Sequence, residues 1–221
     1  QQAERFHVER FAAADVVVVK DMQINLSYGK PLLEIISFTL HPGHNVLIKG
    51  VSGSGKSTLL RAIAGIWPFV DGKIFLPSRD KLMFIPQKPY LPLGTLRAAL
   101  NYPGNKPIDD TELFYLMVLC QIGYLKDKLD LEADWSHVLS VGEQQRLAFV
   151  RAHIQQPQWL FLDEATSALD EDTEATMYSL LQERLQQTTV VSVGHRSTLN
   201  KYHELVLRLN KSTRQVTLEK L

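Results

Sequence analysis

The octapeptide Gly50-Val51-Ser52-Gly53-Ser54-Gly55-Lys56-Ser57, followed by Thr58, fits the spacing G-x-x-x-x-G-K-[ST] completely. Its glycines permit a loop whose backbone N–H groups turn inward around a polyphosphate. A helix starting just after such a loop directs its positive end at the same phosphates. Lys56 would reach the β- and γ-phosphates, and the Ser57 hydroxyl would hold Mg²⁺. A second candidate closes the apolar run Trp159-Leu160-Phe161-Leu162-Asp163-Glu164. Asp163 would anchor the Mg²⁺ shell, and Glu164 would stand beside the γ-phosphate to orient or deprotonate a water. Alone, the first could be a chance glycine-rich turn and the second a solvated acidic strand end. Together they point to hydrolysis of a nucleoside triphosphate.

The base is narrowed by what is missing. A guanine-specific N-K-x-D loop does not occur, because Asn105-Lys106 runs into Pro107-Ile108 and Asn210-Lys211 into Ser212-Thr213. A small-molecule kinase would have no use for the stretch Leu139-Ser140-Val141-Gly142-Glu143-Gln144-Gln145-Arg146. Ser140 and Glu143 have the spacing of a capping box, so a helix is predicted over Val141–Ile154, with Leu147, Val150 and Ile154 facing a core. Gly142 would let a phosphate come close to the bare helix start. The chain thus carries two anion sites, and one polyphosphate would be clamped between them if two chains met head to tail. An ordinary capped helix is the alternative.

Elements that would position these groups follow from pattern. "VVVVKDMQINLSYG" and "EIISFTLHPG" read as strands closed by turns, and "NVLIKG", "KLMFIPQ", "WLFLDE" and "TTVVSVGH" as buried strands. "STLLRAIAGIWP" reads as a helix, with Gly65 beyond its end and Pro68 as a stop. "TLRAALNYPG" and "TELFYLMVLCQIGYL" look helical, which makes 89–155 a mainly helical insertion in an α/β core. "ELVLRLNKSTRQVTLEKL" alternates on both sides of Asn210–Thr213, the pattern of a hairpin.

"GVSGSGKS", "LSVGEQQR", "LFLDEATSALD" and "GHR", in this order and spacing, resemble the nucleotide-binding domain of ATP-binding-cassette (ABC) transporters. The resemblance covers nearly the whole chain. It implies an α/β fold: a P-loop NTPase ABC-ATPase core with an antiparallel β subdomain and an inserted α-helical subdomain. One domain would fill 1–221, with 1–88 and 156–221 as ATP-binding core and 89–155 as helical subdomain. It implies ATP and Mg²⁺ as cofactors, with Ser57, Gln87 and Asp163 around the metal and Glu164, His195 and Gln87 as catalytic groups. Leu139, Ser140, Val141, Gly142 and Glu143 match the signature that contacts ATP held by a partner copy. Ser167, Ala168, Leu169 and Asp170 match the D-loop, and Tyr28 the aromatic that stacks on adenine. For His195, Tyr28 and Gln87, a structural, a turn and a loop role respectively stay open.

Two departures stand out. The commonest signature is L-S-G-G-Q, whereas this chain has Val141 and Glu143, and Glu143 brings an anion near a phosphate site unless capping turns it back. "EADWSHV" lacks the acidic-Gly-Arg-Gly loop of many multidrug exporters. With "KLMFIPQKPYLPLGTLRAALNYP", it makes the chain look closer to peroxisomal fatty-acyl transporters and their bacterial half-transporter relatives.

Composition agrees with a folded module: 45% of the 221 residues are hydrophobic, 22% are charged, and net charge is zero. A basic excess for nucleic acid is missing. A single cysteine, Cys120, excludes an intrachain disulfide. No apolar run approaches the roughly 20 residues that span a bilayer, and the chain opens on Gln1, so it reads as a piece of a longer protein. The expected partners are a second copy in an ATP-dependent homodimer and a transmembrane domain of the same parent chain, with no nucleic acid. The expected place is the cytoplasmic face of a membrane, the bacterial inner membrane. A soluble ABC ATPase of ribosomes or DNA is the competing class, and a nucleotide-binding regulator without turnover the third; Lys56, Asp163, Glu164 and His195 speak for hydrolysis.

Overall fold

The computed structural model describes residues 6–104 and 106–221; Asn105, the start of one Asn-Lys pair considered above, and the terminal Gln1 lie outside the described residues. The strands, in chain order, are β1 (Val8–Ala12), β2 (Val17–Ile24), β3 (Ile36–Leu40), β4 (Val46–Lys49), β5 (Val70–Leu76), β6 (Leu82–Ile85), β7 (Gly94–Thr95), β8 (Glu132–Ala133), β9 (Trp159–Asp163), β10 (Thr189–Val193), β11 (Leu205–Leu209) and β12 (Val216–Lys220). The helices are α1 (Lys56–Ile63), α2 (Leu96–Asn101), α3 (Asp110–Leu119), α4 (Trp135–Val138), α5 (Val141–Gln155) and α6 (Glu171–Arg184). No helix among the described residues is long and apolar enough to cross a membrane.

The chain divides into two compact units. The first takes the chain as far as Phe84, then Gln158–Asp163 and Gln187–Leu221. It holds a six-stranded sheet, order β12-β11-β4-β10-β9-β6, and a four-stranded sheet, order β1-β5-β2-β3. In the larger sheet β11, β4, β10 and β9 pair in parallel and β12 returns antiparallel on β11, the expected hairpin. Every residue of β9 and β10 is buried, which is why both read as unbroken apolar runs instead of alternating ones. In the smaller sheet β2 pairs antiparallel with β3 and β5, while β1 runs parallel to β5. Leu59, Leu60 and Ile63 of α1 join Val46, Ile48, Trp159, Phe161, Val191 and Val193 in one core. Parallel pairing brings the carboxyl ends of β4, β9 and β10 to one edge, where an open α/β sheet places its ligands.

The second unit comprises Ile85–Pro157 and Glu164–Gln186. The expected division kept everything after residue 155 with the strands; here Glu164–Gln186 groups with the helices. The physical reason is packing on α5: Phe149 meets Tyr178 of α6 with ring centroids 6.5 Å apart. On another side Arg151 Nε donates to the Ala99 carbonyl of α2 at 2.7 Å. Leu147, Val150 and Ile154 are buried as expected, but so are Phe149, Ala148 and Arg151, so α5 is enclosed nearly all round. The helix predicted through "QIGYL" stops earlier. Gln121 adopts a left-handed φ of 62°, and the chain continues as a 3-10 helix over Gly123–Lys128. Strands β1 and β5 were not expected; "VERFA" and "VDGKIFL" lack clean alternation and contain charges.

Two histidines are buried and neutral. His153 of α5 is 4% exposed, and neither ring nitrogen has a partner among the described residues. Burial, with the Arg184 charge second, pulls its pKa down to about 4. His203 places Nδ1 2.7 Å from the Leu199 carbonyl and Nε2 2.9 Å from Ser192 Oγ. Burial again lowers it to about 4, against the pull of the Leu199 hydrogen bond. Unfolded, both titrate near their usual value of about 6.5, so between roughly pH 6.5 and 4 the unfolded chain binds more protons. Their contribution is therefore complete above pH 6.5 and is lost as pH falls toward 4. At pH 5 each histidine costs about 2 kcal/mol of stability relative to pH 7.5. Urea titrations at the two pH values should show His153→Leu losing about 2 kcal/mol less than the unaltered chain, with no loss at pH 7.5, since two unpartnered nitrogens are removed. An equal acid loss in both proteins would rule out His153 as a source.

Candidate functional site

The loop Gly50–Gly55 connects the end of β4 to α1. Gly53 and Gly55 have φ of 76° and 103°, a region L side chains rarely adopt. A Cβ on Gly55 would also lie 2.9 Å from Leu32 Cδ2, and one on Gly50 2.5 Å from Ser54 Oγ. The loop is thus closed to side chains at its two ends. Lys56 folds back over it, donating from Nζ to the Gly50 carbonyl at 2.6 Å, and is only 8% exposed. Ser54 Oγ is buried without a partner among the described residues. The first turn of α1 contains no acidic residue, so its N-terminal partial charge is left for an external anion.

Ser57 Oγ donates to Asp163 Oδ1 at 2.7 Å, and Arg61 Nη2 lies 3.3 Å from Asp163 Oδ2. Ser57 and Arg61 are one helical turn apart on the same face of α1, so both reach the end of β9. The Asp163 carboxylate is buried and has a partner on each oxygen, as a buried charge requires. A hydroxyl and a carboxylate oxygen at this separation are hard donors of the kind Mg²⁺ takes. With the unpartnered Ser54 hydroxyl and the left-handed glycines of the loop beside them, the residues present fit a magnesium–nucleotide complex.

The other expected residues are placed as follows. Tyr28 stands in the turn after β2 and is 65% exposed. His195 follows β10 after Gly194, at the strand edge that carries the phosphate loop, and is exposed. Glu164, the residue after Asp163, is half-buried with φ 52°, and its carbonyl accepts from Ser167 N at 3.1 Å. The left-handed backbone turns the chain sharply out of β9 at this carboxylate, a conformation that nothing about a glutamate announces.

In the second unit the predicted capping box forms. Ser140 Oγ accepts from Glu143 N at 3.1 Å, and Glu143 Oε1 accepts from Ser140 N at 2.9 Å. Glu143 is therefore turned back onto the helix start, and Tyr124 donates its hydroxyl to the other carboxylate oxygen. Val141 is exposed and Leu139 buried. Gly142 lies close to the loop that carries Ala168: a Cβ there would be 3.3 Å from the Ala168 carbonyl. Gln87 Nε2 donates to Ser167 Oγ at 3.1 Å, which joins the two loops. Asp170 caps α6, accepting from Thr173 N at 2.7 Å, and Leu169 is buried.

The residue that sequence reasoning passed over is Gln145. It is 0% exposed. Its Nε2 donates to the Gln87 carbonyl at 2.7 Å and to Ser167 Oγ at 3.1 Å, and its Oε1 accepts from Ala168 N at 2.9 Å. One amide thus ties α5 to the loops of Gln87 and Ser167. The available signal was a glutamine two residues before Leu147, on a helix expected to be buried.

The ABC transporter family profile matches residues 33–167, more than half of the chain. An ABC transporter ATP-binding protein of Haemophilus influenzae is 46% identical over 194 residues, covering 87% of this chain and 33% of its own length. ATP-binding cassette sub-family D member 3 of Homo sapiens is 36% identical over 211 residues, covering 91% of this chain and 32% of its own. The latter agrees with the sub-family resemblance drawn from the sequence. The structure of a bacterial Atm1-family ABC exporter with ATP bound superposes with a TM-score of 0.79 at 26% identity, covering 95% of this chain and 40% of that one. The chain spans about a third of the length of these curated relatives. The chain belongs to the ABC transporter family and is an ATP-binding domain of that family, the kind of ATPase its members couple to transport.

Proposed function

We propose that this chain binds and hydrolyses MgATP as one of two identical copies, arranged head to tail, that drive a membrane-embedded transporter from its cytoplasmic face. The observation that carries the reading is the Ser57–Asp163 pair, 2.7 Å apart beside a loop shaped for phosphates. Lys56 and the loop N–H groups would bind the β- and γ-phosphates, and Ser57 and Asp163 would hold Mg²⁺, with Gln87 as a further ligand. The chemistry a bound Mg²⁺ supplies is neutralisation of charge on the transferred phosphoryl group. Glu164 would orient or deprotonate the attacking water, and His195 would hydrogen-bond the γ-phosphate. Tyr28, exposed and aromatic, would stack on adenine.

The second copy is supported by the signature. Its Ser140 hydroxyl and the first-turn N–H groups of Val141 and Gly142 would form an anion-binding surface, distinct from the phosphate loop. Such a surface would close over ATP held by another chain. The transporter role rests on the relatives, which are named as ABC transporters and an exporter with ATP bound; their additional length would include the membrane-spanning part.

Two outcomes are expected. Glu164→Gln should keep MgATP affinity but lower turnover by about 10² or more, measured as phosphate release; normal turnover would remove Glu164 from the catalytic role. In the same background, Lys56→Ala chains and Ser140→Arg chains should each fail to associate with ATP. Mixed, they should associate, because one composite site then pairs an intact phosphate loop with an intact signature. Light scattering that shows no association on mixing, where the Glu164→Gln chain and a single-site heterodimer control both dimerise, would exclude the shared site.

A further inference from the structure

We propose that Tyr124 is a positioning residue for the signature: its hydroxyl holds the Glu143 carboxylate on the flank of α5, off the surface that would meet phosphate. This rests on the head-to-tail reading given above. The problem it addresses is electrostatic. A carboxylate at the fifth signature position brings negative charge next to a polyphosphate, and like charges at such range repel strongly.

The structure commits both carboxylate oxygens. Oε1 accepts the Ser140 N–H at 2.9 Å, and Oε2 accepts the Tyr124 hydroxyl. The capping box engages the N–H groups of Ser140 and Glu143 and leaves those of Val141 and Gly142, the first-turn donors next to Ser140, outside it. The corner that carries Tyr124 is fixed independently. Arg146 Nη1 donates to the Gln121 carbonyl at 2.6 Å, and its Nε to the Gly142 carbonyl at 3.3 Å, so one guanidinium ties the turn just ahead of the 3-10 segment to the first turn of α5. Tyr124 is 63% exposed, so its ring adds little to the core and its hydroxyl is the part that makes a specific bond. Burial pushes the Glu143 carboxyl up, but the Tyr124 hydroxyl, the Ser140 N–H and the Arg146 charge together hold it below its usual range. Burial and the same carboxylate raise the Tyr124 hydroxyl above its usual value, so the phenol stays protonated and remains a donor.

Two measurements test this. In the nucleotide-free chain, carbon NMR of the Glu143 carboxyl should show its titration midpoint raised by about 0.5–1 pH unit in Tyr124→Phe. In the Glu164→Gln background, sedimentation should show ATP-dependent association weakened about five- to tenfold by Tyr124→Phe. Adding Glu143→Gln, which removes the charge, should bring association back to within about twofold of Glu143→Gln alone. A merely structural role for Tyr124 would leave the defect in place in that double variant. An unmoved midpoint, an association as tight as in the Glu164→Gln chain, or a defect that survives Glu143→Gln would each overturn the positioning role. Failure of the Glu164→Gln chain itself to associate with ATP would instead overturn the head-to-tail reading, and the positioning role with it.

Discussion

The contact between Ser57 and Asp163 is the constraint on which the first unit depends. It joins the first turn of α1 to the last residue of β9 at 2.7 Å. The strand that leads into α1, β4, is not a neighbour of β9 in the sheet: β10 lies between them. The hydrogen bond forms only because three strands run parallel in one register, with Asp163 level with Val193. A slip of one residue would turn the Asp163 side chain to the opposite face. The apolar run of β9, buried on both faces, sets that register, and the carboxylate at its end uses it. Packing specificity in the strands is thereby converted into placement of a charge.

A buried carboxylate is costly unless both oxygens are engaged. Asp163 engages one with a neutral hydroxyl and the other with Arg61, itself partly exposed. The hydroxyl partner is the exchangeable one: its oxygen lone pairs remain available to a cation while its proton satisfies the aspartate. A second lysine or arginine in place of Ser57 would hold Asp163 more tightly and would exclude a metal by charge. The choice of serine thus fits the proposed sharing of a divalent ion between Ser57 and Asp163.

How far the sequence revealed this depends on how strictly chemistry dictates residue type. The phosphate loop was legible because left-handed backbone at Gly53 and Gly55 and a lysine at its helical end have few substitutes. The capping box at Ser140 and Glu143 was legible from a spacing of three, and with it the turning back of the glutamate. The central buried strands were legible as apolar runs, while β1 and β5 were not, because charged residues interrupt the pattern. The membership of Glu164–Gln186 in the helical unit was hidden, since Phe149 and Tyr178 meet through folding and no spacing relates them. Tyr124 and Glu143 illustrate the same limit: nineteen residues apart, they share a hydrogen bond that no periodicity predicts.

Gln145 shows why the second unit holds its loops so definitely. An amide offers two N–H donors and an acceptor, and here both ends are used, toward Gln87, Ser167 and Ala168. A buried network of this kind stabilises one arrangement largely by penalising others, because each displaced partner is left unpaired in a low-dielectric interior. A leucine of similar volume would fill the space but leave a backbone carbonyl and a backbone N–H without partners. A glutamate would accept from Ala168 N but would repel the Gln87 carbonyl. The residue is therefore constrained by hydrogen-bond stoichiometry, not by hydrophobicity. It places the loop of Gln87 and the loop of Ser167 in fixed relation to α5, the helix that Ser140 caps.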